Sequence, residues 1–118
     1  MYHQSLYAIV MDAGTELGVL TREMQGEPEL FASALTLAAV EARLLTMAHT
    51  LGNLTPVLRA KLPHVDWAGW QALHELLRLN RQPRRDAVWY AVSALAPQTM
   101  ELLAALRRRE PVWFESGY

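Results

Sequence analysis

Apolar side chains recur every three or four positions along most of this 118-residue chain, which is the spacing of one face of an α-helix. Leu6, Ile9, Val10, Ala13, Leu17, Leu20 and Met24 form the first such stripe. It predicts a helix from about Gln4 to Met24. The strand signal is weak. Two-residue alternation is poor, β-branched residues are few, and Ala, Leu, Glu and Arg dominate, all of which favour helix. Apolar residues make up 52% of the chain, enough for a core and too many for a disordered segment. The length is that of one ordinary domain.

Prolines, glycines and capping residues divide the helical pattern. Gly14 and Gly18 lie four apart and would let a neighbouring helix approach closely. "QGEP" breaks the chain, and Pro28 suits a first helical position with Glu29 in the first turn. A second helix then runs to about Leu51, apolar over much of its circumference, which places it centrally or beneath a partner chain. Thr55 caps a short third helix from about Pro56 to Leu62. Asp66 caps a fourth, about Trp67 to Leu79, with Trp67, Trp70, Leu73 and Leu77 on one face. "NRQPRR" reads as a loop. Asp86 then caps a fifth helix, and Pro97 must kink or restart it because proline lacks an N–H and crowds the carbonyl of Ser93. Arg107 to Arg109 suit a helix C-terminus. Trp113 and Phe114 are too large to hang free, so the tail should dock on the body or on a second subunit. The expected architecture is all-α: an antiparallel four-helix bundle with a short extra helix and a kinked last helix. It divides into one helical-bundle domain over 1–110 and a C-terminal tail over 111–118.

Composition excludes several function classes. The chain has no cysteine, hence no disulfide framework and no thiolate metal site, and this suits a cytoplasmic protein. No charge-free apolar run is long enough to span a bilayer. Asp12 interrupts the apolar N-terminus and no basic segment precedes it, which argues against a signal peptide. His3, His49, His64 and His74 lack metal-ligand spacing. No nucleophile elbow, phosphate-binding glycine loop or dinucleotide fingerprint is present, so neither metal nor cofactor is expected. His49, in an apolar helix, reads as a hydrogen-bonded core or interface residue. Trp67, Trp70 and Trp89 read as core. The net charge is −1, but acids gather in the first third and bases in the second half, an asymmetry that can build one basic face or merely two solvated helix faces.

The stretch "ALHELLRLNRQPRRD", Ala72 to Asp86, holds the candidate chemistry. His74 and Arg78 lie at i and i+4 and so share a helix face. Metal-free RNA cleavage needs a base for the 2′-hydroxyl proton and a cation for the pentavalent phosphate, roles open to an imidazole and a guanidinium. The plainer reading is a surface or interface pair. Arg81, Arg84 and Arg85 could grip phosphates with their guanidinium forks, with Trp89 or Tyr90 as a stacking face nearby. The plainer reading there is a solvated interhelical loop.

From about Ala39 to Leu106 the chain resembles the HepT-like toxins of the HEPN superfamily. "AAVEARLLTMAHTLGNLTPVLRAKLPHVDW" is similar to that family's long second helix and its ending, with Leu58, Arg59, Lys61, Pro63, Val65 and Trp67 at the motif positions. "DAVWYAVSALAPQTMELLAAL" resembles its last helix, with Asp86, Val88, Trp89 and Pro97 in place. The resemblance implies a four-helix-bundle dimer that cleaves RNA without metal and pairs with a small nucleotidyltransferase-fold antitoxin. The family's signature is an Arg, then a His four to six residues on, then a Tyr two further. Here His74 falls at the Arg position, Arg78 or Leu79 at the His position, and Arg81 near the Tyr. The expectation is therefore a homodimeric binding module of a toxin–antitoxin or nucleotidyltransferase-associated pair with a degraded ribonuclease motif. The alternatives are an active metal-independent endoribonuclease using His74 and Arg78, and a helical small-ligand module with no role in RNA.

Overall fold

A computed structural model describes residues 2–115 of the chain. It is all-α: α1 (Tyr2–Thr21), α2 (Glu27–Ala32), α3 (Ala34–Gly52), α4 (Pro56–Ala60), α5 (Trp67–Arg78), α6 (Arg85–Tyr90), a π-helical turn (Ala91–Leu95), α7 (Ala96–Arg109) and a 3-10 turn (Pro111–Trp113). No strand occurs among the described residues. α3 is the centre, packed against α1 on one side and α5 on the other. α1 and α3 run antiparallel, since the Tyr2 hydroxyl donates to the Asn53 carbonyl at one end while Glu16 pairs with Arg43 further along. The core is continuous. Val10, Ala13 and Leu17 of α1 meet Val40, Leu44, Met47 and Leu51 of α3, with Leu73 of α5 and Leu103 and Leu106 of α7.

The expected second helix is two. Ser33 interrupts it in an extended conformation (φ −115°, ψ 111°) and its hydroxyl accepts from the Thr36 N–H at 3.2 Å. That is an N-cap, which ends α2 and starts α3 afresh. Thr55 and Asp66 cap α4 and α5 as their positions suggest, the Asp66 carboxylate accepting from the Gly69 N–H at 2.9 Å. Asp86 does not cap its helix. α6 begins at Arg85, and the carbonyl of Arg84 takes its first backbone bond, from Val88 at 2.9 Å. Asp86 instead lies in the first turn, where its charge favours the positive end of the helix. Pro97 acts through the π-helical turn just ahead of it. The wider turn accommodates the proline, and α7 restarts with Pro97 in its first turn.

The bundle is stapled by a few polar contacts. Buried Trp70 donates from Nε1 to the Thr99 hydroxyl at 2.9 Å, and that hydroxyl donates to the Leu95 carbonyl at 2.7 Å. Gly14 faces Met100 so closely that a Cβ there would collide with the Met100 sulfur. Gly18 faces open space, so only one of the two glycines serves close approach. The tail docks on the chain's own body. Phe114 is buried edge-on to Tyr7, with centroids 5.3 Å apart. Buried His3 links three segments, its Nδ1 lying 3.2 Å from the Trp113 carbonyl and its Nε2 3.1 Å from the Thr55 hydroxyl. The rest of the expected tail, 116–118, lies outside the described residues. Among the described residues, no helix is long and apolar enough to cross a membrane.

Candidate functional site

The end of α5 explains the peculiar "LNRQPRR" stretch. Asn80 takes a left-handed conformation (φ 51°) just past the helix. The N–H groups of Asn80 and Arg81 reach back to the carbonyls of Leu77 and Leu76 at 3.2 and 2.8 Å. This is the double closure by which a helix C-terminus satisfies its last carbonyls, and asparagine tolerates the required positive φ. The chain then turns, through a cis Gln82–Pro83 bond, towards Arg84.

Arg84 is committed to the fold. Its Nε and Nη2 donate to the two carboxylate oxygens of Glu41 on α3, at 2.8 and 2.9 Å, and its Nη1 donates to the Asn80 side chain at 2.7 Å and the Arg81 carbonyl at 3.2 Å. Both partners of the pair are mostly buried, at 15% and 16% exposure. The hydrogen bonds to Glu41 hold the guanidinium pKa above its ordinary value, against the opposing effect of burial. Arg85 donates to Glu27 at 2.9 Å and lies over the Phe31 ring. Arg78 and Arg81 are exposed, and among the described residues neither guanidinium has a hydrogen-bonding or ion-pair partner. The loop's expected stacking residues also contact the body, although Tyr90 stays exposed. The Tyr90 hydroxyl donates to the Asp66 carboxylate at 2.8 Å, which raises its pKa, and Trp89 packs against the core.

His74 faces a different neighbour from the one its spacing suggests. An open cleft of about 360 Å³ lies between the C-terminal half of α3, α4 and the start of α5. His49, Asn53, Arg59, Trp67, Gln71 and His74 line it. The imidazoles of His49 and His74 stack with centroids 5.9 Å apart and planes 24° apart. His49 is exposed at the cleft wall and not in the core. The reason lies in the register of α3: Val40, Leu44, Met47 and Leu51 point inward, while Leu35, Ala38, Ala42 and His49 follow the outer face at three- and four-residue steps or their multiples. Asn53, just beyond α3, steadies this end, its amide donating to the His49 carbonyl at 3.0 Å. Arg59 of α4 lies over the Trp67 indole, 4.7 Å from the ring centroid, a cation–π contact. Arg78 is not part of the lining.

Sequence reasoning thus missed His49, Arg59 and Gln71 as companions of His74. Arg59 carried a signal, because it and Trp67 belong to one quoted motif; their contact across the α4–α5 turn is a tertiary fact. Among the described residues, no group of three or more His, Cys, Asp or Glu side chains is placed to hold a metal ion. No family model, no curated protein and no solved structure matches this chain.

Proposed function

We propose that this chain is a HepT-like helical module that binds RNA without cleaving it, as a homodimer beside a nucleotidyltransferase-fold partner. The observation that carries the reading is the parting of His74 from Arg78. His74 lines the α3–α5 cleft, whereas Arg78 is exposed and outside that lining. Metal-free cleavage requires a base and a cation on the same phosphodiester. Only His74 of the two lies in the cleft, with Arg78 one turn on along α5, so in this reading the arginines hold the phosphates and the reversed pair does not act on one phosphodiester.

Two features support the binding role. Arg78, at the end of α5, and Arg81, in the loop after it, leave their guanidinium forks unspent. The outer face of α3 carries an uncharged strip of Leu35, Ala38 and Ala42 that continues to His49, with Leu35 85% exposed. A bare strip of this kind on a central helix suits a second copy of the chain. The all-α bundle is of the kind that the resemblance drawn above implies.

The test is fluorescence anisotropy of a labelled single-stranded RNA across a salt series. Affinity should fall steeply with salt. Replacing Arg78 and Arg81 together by Ala should make that dependence shallower by about the two phosphate contacts removed, roughly 0.7 each in logarithmic slope for a single strand. Absence of binding even at low salt would reject the RNA reading and favour a small-ligand module.

A further inference from the structure

We propose that the α3–α5 cleft is a nucleotide site, which takes one nucleotide unit with its phosphate on Arg59 and its base against the imidazoles of His49 and His74. This deepens the RNA-binding reading and rests on it for the physiological ligand, but the site stands on its own geometry. Its lining contains no acidic side chain, yet three of its residues are Arg or His and two are side-chain amides. Such a wall repels cations and offers donors to an anion.

The state of Arg59 differs from that of five other basic residues that contact the body, of which Arg107, over the Tyr7 ring, donates to the Gln4 side chain. Arg43, Lys61, Arg84 and Arg85 each pair with a carboxylate. Among the described residues no carboxylate pairs with Arg59. It is half-buried and lies over the Trp67 ring, and its N–H groups are unspent. A planar fork in that state matches a phosphate in two-point contact. The stacked pair of imidazoles in the same lining adds a flat face suited to a base, since every base presents a π-face. The cleft volume of about 360 Å³ is within the range of small-ligand sites. His74 and Arg78 share a face of α5 one turn apart, so a strand leaving the cleft would meet the free guanidinium of Arg78 next.

The experiment is a nuclear magnetic resonance titration of the intact chain with uridine monophosphate, uridine and inorganic phosphate in parallel. The inference expects the monophosphate to shift the His49, His74 and Trp67 signals together and to bind more tightly than either fragment. Arg59→Ala should weaken it about tenfold or more, as loss of a charge-assisted contact does, and Arg59→Lys should not fully restore it. His49→Ala, at an exposed position that the fold does not need, should weaken the monophosphate and leave inorganic phosphate little changed. Shifts located elsewhere, or affinity indifferent to both Arg59→Ala and His49→Ala, would overturn the inference. If RNA binds but ignores those two substitutions, the cleft assignment fails and the RNA-binding reading survives. If the monophosphate binds in the cleft while RNA does not bind at all, the RNA reading fails and the site stands.

Discussion

Arg84 and His49 show how similar residue types diverge with position. Both lie where the sequence leaves two readings open. Arg84, in an arginine-rich loop, becomes a clamp because Glu41 on the neighbouring helix offers both carboxylate oxygens. Removing one partner leaves a largely buried charge without its acceptors or donors. Glu41→Ala should therefore lower the stability of the fold by about 1.5–3 kcal/mol, the usual worth of hydrogen bonds to a charged group. Urea denaturation checks this, and a change near zero would show that the pair is only decorative. The same change should leave RNA affinity nearly intact if Arg78 and Arg81 carry the contacts. Arg84 was readable as a phosphate ligand only because Glu41, 43 positions earlier, cannot be recognised locally as its partner. His49 was readable as core because α3 is apolar on most of its circumference. The steps Leu35, Ala38, Ala42 and His49 do mark a second face, but alanine is too small to declare whether that face is covered.

Elements whose ends are set by local chemistry were legible: Thr55 and Pro56 open α4, Asp66 opens α5, and Pro97 disturbs the last helix. The break at Ser33 escaped because the apolar pattern runs straight through it, and a lone serine in an alanine-rich stretch signals a cap only once the backbone leaves the helix. The docking of the tail was legible from the size of Trp113 and Phe114, but not the means of docking. Glu110 accepts from Lys61 Nζ and from the Trp113 indole N–H, both at 3.1 Å. These hydrogen bonds hold its carboxyl below the ordinary glutamate pKa, led by Lys61. A folded-state pKa below the unfolded one means that the contact stabilises the docked tail above the ordinary glutamate range. That contribution is lost as pH falls through this range towards the depressed folded value. The indole N–H resonance of Trp113 should thus move on acidification, and Glu110→Gln should abolish the step. A resonance with no acid transition in the unaltered chain would contradict the latch.

At the scale of the whole molecule, the bundle measures 44 × 28 × 21 Å, and its central helix keeps one uncharged face uncovered. If a second copy covers that face, the sedimentation mass should be twice the 13.3 kDa of one chain. Ala42→Arg, which places a long cation in the middle of the strip, should return it to the monomer while helicity is unchanged. A monomeric unaltered protein at working concentration would remove the dimer from the account. The fold class was legible because periodicity reports it directly, while the cleft was not, because α3, α4 and α5 each contribute separate walls. The central claim is that the chain holds RNA without cutting it, and the most direct measurement is electrophoresis of a single-stranded RNA incubated with excess protein in a metal chelator. The account predicts that the RNA stays intact over hours under conditions where anisotropy shows it bound. Cleavage that is lost in His74→Ala and in Arg78→Ala would contradict it and establish an active ribonuclease instead.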